Sequence, residues 1–217
     1  MKYHLKKLFS RLLLLITIVI AGTTSYAQTD NWISLFDGKS LDGWKVGENA
    51  STFKVDSGMI IVNGIVAHLF YDGPVNGHNF KNFEFKADVM TMPHSNSGIY
   101  FHTQFQQSSW PGKGYEVQVN NSHTDWRRTG SLYGVDDVKE VIVPDDVWYT
   151  EYIKVEGKHI TIKINDKVVV DYTEPDNIQK PANGIGKFIS NGTFALQGHD
   201  PGSTAYYKNI MVKPLAD

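Results

Sequence analysis

The chain has 217 residues, a formal net charge of −2 and no cysteine. Its 41% hydrophobic content and small net charge exclude a disordered chain, and the lack of cysteine excludes a disulfide scaffold and any cysteine-ligated metal centre. We expect no nucleic-acid partner, because lysine and arginine are not in excess over acidic residues and could not neutralise phosphates.

The first 27 residues have the pattern of a secretory signal peptide. Basic residues precede an apolar stretch at 12–21, and Ser25-Tyr26-Ala27 places small residues where a signal peptidase cleaves. The apolar stretch is shorter than the roughly 20 residues that a stable membrane span needs. We therefore expect cleavage after Ala27 and export to the periplasm or the medium. The mature chain, 28–217, is expected to form one domain without a membrane span.

Short segments with alternating apolar and polar residues dominate the mature chain, and they predict strands. In chain order the predicted strands are 33–36, 53–55, 59–62, 67–71, 83–89, 99–103, 115–120, 151–156, 159–165, 168–172, 193–197 and 205–212. The segment 122–128 is predicted to form a short helix. Ten to thirteen strands separated by Gly, Asn, Asp and Pro predict an all-β fold, a single antiparallel β-sandwich.

Two predicted strands carry polar stripes. Alternation places Glu116 and Gln118 on one face of their strand, and Tyr100 and His102 on one face of the preceding strand. If both stripes line one cleft, they offer the hydrogen-bonding groups and aromatic rings that bind sugars. A carboxyl group in such a cleft carries a raised pKa and can act as an acid or a base, so Glu116 is the candidate catalytic residue. The alternative is an ordinary solvated face of an antiparallel sheet.

Four further residues, outside these two polar stripes, are candidates for a functional role. His199 follows a predicted strand and is either the catalytic partner of Glu116 or a turn residue. Trp110 lies in a loop and is either a platform for a sugar ring or a packing residue. A divalent cation is compatible with His94 and Asp125, although no metal-ligand spacing appears.

Ordered segments across nearly the whole mature chain resemble the 3-keto-disaccharide hydrolase domain family. They include Asn96-Ser-Gly-Ile-Tyr-Phe101, Gly114-Tyr-Glu-Val-Gln-Val119, Thr129-Gly-Ser-Leu-Tyr-Gly134 and Leu196-Gln-Gly-His199, with further matches at 32–44, 157–165 and 208–215. The resemblance implies a concanavalin A-like jelly roll that cleaves glycosides already oxidised at C3. The chain departs from the family pattern at His102, Asn120 and Lys208, where the family tends to have arginine, aspartate and arginine.

A ketone at C3 acidifies the proton on C2, so a base can remove that proton and expel the aglycone from C1. On this interpretation Glu116 is the base or acid and His199 is its partner. The substrate-binding candidates are Gln118, His102, Tyr133, Trp110, Arg127 and Arg128, with one of the two arginines stabilising the enolate oxygen. The strand of Glu116 lacks the second carboxylate that retaining hydrolysis requires.

Two other functions remain open. The same cleft could belong to a non-catalytic carbohydrate-binding module, which would bind a glycan without releasing a product. The domain could also be a structural or interaction module without a small-molecule site, in which case Glu116 and His199 would lie more than about 15 Å apart, too far to contact one small sugar by hydrogen bonds. The sequence does not define the sugar, a requirement for a divalent cation or the oligomeric state.

Overall fold

The computed structural model describes residues 31–216, which form two antiparallel sheets packed face to face. The strands are β1 (Ile33–Ser34), β2 (Trp44–Val46), β3 (Phe53–Asp56), β4 (Met59–Asn63), β5 (Ala67–Tyr71), β6 (Phe83–Thr91), β7 (Ser97–Thr103), β8 (Tyr115–Val119), β9 (Tyr149–Glu156), β10 (His159–Ile164), β11 (Lys167–Thr173), β12 (Thr193–Gly198) and β13 (Thr204–Pro214). Short 3₁₀ segments occupy Ala50–Thr52 and Val75–His78. The predicted signal peptide lies outside the described residues.

The larger sheet has the order β11-β10-β9-β6-β13-β4-β3, with β1 paired to β13, and the smaller sheet has the order β2-β5-β12-β7-β8. The predicted all-β sandwich is confirmed. Strands β9 and β10 form a hairpin, in which Glu156 lies opposite His159. No helix within residues 31–216 is long and apolar enough to cross a membrane.

Alternation along the strands builds the core between the sheets. On β6 the side chains of Phe83, Phe85, Ala87 and Val89 are fully buried, as the sequence pattern predicts. Glu151 on β9 is a polar residue within this apolar packing. Its side chain is buried, and neither carboxyl oxygen has a hydrogen-bond partner among the described residues.

The predicted helix at 122–128 is wrong, because this segment forms bends in a long loop. The side-chain amide of Asn120 donates to the carbonyl oxygens of Asp125 and Arg127, at 2.9 and 2.7 Å. Arg128 donates through Nη1 to the carbonyl oxygen of His123, at 2.8 Å. These side chains bind the carbonyl groups that a helix would bond to its own backbone N–H groups.

Alternation also fails at the end of β7. Two residues of β7 stand opposite one residue of β12 between Tyr100 and Thr103, which is a β-bulge. His102 lies in this bulge with a φ of 54°, in the left-handed region. Its ring therefore does not join Tyr100 on the polar face. The ring is buried against Phe83, and its Nε2 lies 2.9 Å from the carbonyl oxygen of Lys81.

Candidate active site

A cavity of about 470 Å³ opens on the smaller sheet. Three adjacent strands supply its floor: Gln197 comes from β12, Tyr100 from β7, and Glu116 and Gln118 from β8. The alternate residues of these strands, such as Ile99 and Val117, point into the core, so the floor residues occupy the opposite face. Loops supply the walls, which include Asn96, Trp110, Pro111, Asp125, Tyr133, Lys187 and His199.

Glu116 lies at the centre of a hydrogen-bond network on this floor. The hydroxyl of Tyr100 donates to Oε2 at 2.9 Å, and the amide of Gln197 donates to Oε1 at 2.6 Å. The Gln118 amide, in the orientation that satisfies its neighbours, adds a third contact to Oε1 at 3.2 Å. The carboxyl group is therefore held in place from three sides, and the residue is only 8% exposed.

The surroundings of Glu116 tune its protonation. Burial raises the pKa of its carboxyl group to about 7, although the hydrogen bonds from Tyr100 and Gln197 and the charge of Lys187 act in the opposite direction. The group therefore changes protonation near neutral pH, where a general base works most effectively.

Gly98 on β7 makes room for this carboxyl group. A methyl group at position 98 would lie 2.5 Å from Oε1 of Glu116, a distance shorter than van der Waals contact. Gly98 lies beside Gln118 in the ladder of β7 and β8, under the Glu116 side chain. The absence of a side chain at position 98 thus lets the carboxyl group settle onto the sheet.

His199 reaches the same cavity from the end of β12. Its Nδ1 lies 2.7 Å from Oδ2 of Asp200, so the carboxylate holds the imidazole ring and leaves Nε2 for a bound molecule. Asp200 is fixed in turn by the hydroxyl of Ser203, at 2.7 Å, and the backbone N–H of Gly202, at 2.8 Å. The structure therefore places Glu116 and His199 at the same cavity.

Sequence reasoning missed Lys187, which lies on a loop of the cavity wall. Its ammonium group donates to the carbonyl oxygen of Tyr133, and burial lowers its pKa although the charge of Glu116 acts in the opposite direction. The Tyr133 hydroxyl bonds Asp125 at 3.3 Å, so these residues form one polar wall. No periodic pattern marks a loop lysine, and only the fold brings it to the acid.

The two arginines proposed from the sequence do not line the cavity. The guanidinium of Arg127 pairs with Asp137, with 3.1 Å between Nε and Oδ2, and lies against the ring of Trp126. Arg128 is committed to the carbonyl groups of its own loop. The bulge likewise removes His102 from the cavity. Of the proposed substrate-binding residues, Gln118, Tyr133 and Trp110 do line it.

Trp110 stands at the cavity wall with 44% of its surface exposed. Its ring packs edge-on against His68, with 5.4 Å between centroids, and is tilted over His199 at 5.5 Å. Burial lowers the pKa of His68 to about 4, so that ring is neutral and supports the indole as an uncharged surface. The remaining exposed face suits stacking on the apolar face of a sugar.

The two sheets and the cavity define a concanavalin A-like jelly roll with an acid at the centre of a cleft on its smaller sheet. Residues 31–213 match the 3-keto-alpha-glucoside-1,2-lyase-like domain family, and the chain belongs to this family. A 3-keto-disaccharide hydrolase of Bacteroides thetaiotaomicron is 26% identical over 234 residues, covering 87% of this chain and 80% of that protein.

Similar solved structures share the fold. A candidate glycosyl hydrolase from Parabacteroides distasonis has a TM-score of 0.71 at 22% identity, covering 85% of this chain and 94% of that one. A carbohydrate-binding module from Bacillus subtilis has a TM-score of 0.55 at 14% identity, covering 79% of this chain and 95% of that one. Proteins described as hydrolases and as binding modules thus share this architecture, so the function has to be inferred from the residues of the site and not from the fold.

Proposed function

We propose that this protein is an exported enzyme that cleaves 3-keto-glycosides, with Glu116 as the general base and His199 as its partner. The observation that carries the proposal is the position of Glu116, a buried carboxyl group on the cavity floor that titrates near pH 7. Membership of the lyase-like family and the activity in the name of the Bacteroides thetaiotaomicron relative support this substrate class.

The reaction begins at C2 of the sugar. The carboxylate of Glu116 takes the C2 proton, and the electrons of the C2–H bond form a C2=C3 double bond while the ketone oxygen becomes an oxyanion. The oxyanion then re-forms the ketone, a C1=C2 bond forms and the C1–O bond to the aglycone breaks. His199 gives a proton to the departing oxygen through Nε2, with its ring held by Asp200.

Water completes the reaction by adding to C1 of the enone: His199 takes one proton from the water, which restores its own acid form, while Glu116 returns a proton to C2. The net result is hydrolysis of the glycosidic bond. Because one base and one acid are sufficient, the lack of a paired carboxylate on β8 is consistent with this chemistry and not with retaining hydrolysis.

Lys187 is the best candidate to stabilise the oxyanion. It is the lysine of the cavity wall, and it interacts electrostatically with Glu116. A cation at this place favours the charge that develops on the ketone oxygen. In this role Lys187 replaces the arginines suggested by the sequence.

The second candidate function is a carbohydrate-binding module, favoured by the exposed indole of Trp110 and by the fold of the Bacillus subtilis module. A binding module has no need of a carboxyl group poised to titrate at neutral pH. We therefore rank catalysis first.

The test is the Glu116→Gln variant, assayed for release of the aglycone from 3-keto-glucosides. Glutamine has nearly the same shape but cannot take a proton, so we expect turnover to fall by at least about 100-fold with the fold intact by circular dichroism. Glu140→Gln, at an exposed carboxylate paired with Lys167, is the control and should keep full activity. Wild-type turnover in Glu116→Gln would refute the role. Glycan binding in calorimetry without turnover by the wild-type protein would favour the binding module.

A further inference from the structure

Two loops of the smaller sheet bring imidazole and carboxylate groups together at one edge of the cavity. Strands β8 and β12 both pair antiparallel with β7, so they run parallel to each other and end at the same edge. His123 lies in the loop after β8, while His199 and Asp200 follow directly after β12. One ligand-type atom from each of these three residues lies within 4.8 Å of the others.

The spacing of these atoms suits a metal ion. Two ligand atoms that are each about 2.1 Å from a tetrahedral ion lie about 3.4 Å apart. Here Oδ2 of Asp200 is 2.7 Å from Nδ1 of His199 and 3.8 Å from Nε2 of His123. These distances bracket the ideal value, so small side-chain rotations would complete three positions of a tetrahedron.

We propose that His123, His199 and Asp200 bind one divalent transition-metal ion of the zinc type at the edge of the cavity. Two imidazoles and one carboxylate favour such an ion over Mg²⁺ or Ca²⁺, which prefer oxygen ligands. Three protein ligands leave a fourth position for a water molecule or another ligand, as in catalytic zinc sites, and of the three residues His199 also lines the cavity.

Neighbouring groups hold the ligands in place. Asp200 is fixed by Ser203, whose hydroxyl also accepts the backbone N–H of Asn96 at 2.9 Å. Nδ1 of His123 lies 3.3 Å from the Asn96 side chain and accepts the backbone N–H of Asp125 at 3.1 Å. Coordination through Nε2 moves the ring proton to Nδ1. The Asn96 amide then rotates to accept this proton through its oxygen, and the N–H of Asp125 gives up its contact.

Only the chemical role of the ion rests on the proposed function. With Nδ1 of His199 on the metal, Nε2 still carries a proton and can donate a hydrogen bond to the departing aglycone oxygen. The open position would bind a hydroxyl or ketone oxygen of the sugar and polarise it. Ion binding itself requires no sugar and can be measured separately.

The experiment is calorimetric titration of ZnCl₂ into the chelator-treated, untagged protein, together with thermal unfolding with and without Zn²⁺. We expect one Zn²⁺ per chain and a higher Tm with the metal. His123→Gln should weaken binding at least 10-fold, and Asp200→Asn is a second ligand variant. His159→Gln is the matched control, because His159 pairs with Asp171 on the exposed surface, and it should bind as the wild-type protein does.

Absence of saturable binding up to about 100 µM Zn²⁺, which corresponds to less than about 5.5 kcal/mol of binding free energy, would overturn the proposal. Equal affinity in the wild-type protein, His123→Gln and Asp200→Asn would also overturn it. In either case the three residues would form a hydrogen-bonded group that orients His199. Neither result would change the interpretation of the Glu116→Gln turnover assay. Loss of the proposed sugar chemistry would likewise leave a positive zinc titration standing.

Discussion

Replacing Tyr100 by phenylalanine removes one of the hydrogen bonds to Glu116 and should move the pH at which the enzyme loses activity. The Tyr100 hydroxyl donates to Oε2 of Glu116 at 2.9 Å, and this bond favours the ionised carboxylate. Without it, burial acts on the carboxyl group with less opposition. The pKa of Glu116 therefore rises in Tyr100→Phe.

The size of the rise follows from the strength of the bond. A hydrogen bond to a charged group contributes about 1.5–3 kcal/mol, and about 1.4 kcal/mol corresponds to one pKa unit. The pKa of Glu116, about 7 in the wild-type protein, should therefore rise by about one to two units. The base works as a carboxylate, so activity falls as the pH drops through this pKa. The acid limb of the profile should thus lie at higher pH in the variant.

The assay is kcat/KM for a 3-keto-glucoside measured between about pH 5 and 9.5, a range that spans the expected pKa values of a perturbed carboxyl group. A parallel ¹³C NMR titration of the Glu116 carboxyl carbon tests the pKa without any substrate. Tyr152→Phe is the matched control, because the Tyr152 hydroxyl donates to Glu84 at 3.0 Å on the larger sheet, outside the cavity. An acid limb and a carboxyl titration that both stay near pH 7 in Tyr100→Phe would refute the reasoning.

Three further predictions concern titratable side chains of the cavity and the core. The pKa of Glu116 is raised above its ordinary value of 4.5 to about 7, so its contribution to stability is fully present below pH 4.5 and is lost as the pH rises through 7. Glu116→Gln should therefore increase the free energy of unfolding by up to about 3 kcal/mol at pH 8 and by much less at pH 4, measured by urea unfolding. Lys187→Met should lower kcat by about 100-fold or more with a smaller change in KM; an unchanged kcat would remove Lys187 from the mechanism. Burial also raises the pKa of Glu151 well above its ordinary value, and its oxygens are unpartnered among the described residues. Glu151→Met should raise the unfolding free energy by about 1–3 kcal/mol, and a lower Tm would contradict this reading of the core.

Much of the floor of the site could be predicted from the sequence because it depends on strand alternation. The regular strand β8 places Glu116 and Gln118 on one face, and β7 keeps Tyr100 on that face. The bulge then reverses the pattern at His102. A bulge depends on pairing with the neighbouring strand, which is not visible within β7 alone.

The walls of the site could not be predicted in this way. Lys187 and Asp125 belong to loops whose paths are set by individual hydrogen bonds rather than by a repeating pattern. Arg128 is the converse case. The sequence suggested it as a substrate-binding residue, but its guanidinium group binds backbone carbonyl groups of its own loop. The meeting of His123 with His199 follows from strand order, which the sequence alone did not supply.

Gly98 and Glu116 have to be considered together when related chains are compared or redesigned. The acid on β8 and the bare backbone on β7 form one unit, since any larger residue at 98 would push the carboxyl group off the sheet. A jelly roll that has the glutamate but a bulkier residue at the position of Gly98 should hold its carboxyl group elsewhere, with a different pKa. Transplanting this chemistry onto another sandwich therefore requires moving both positions together.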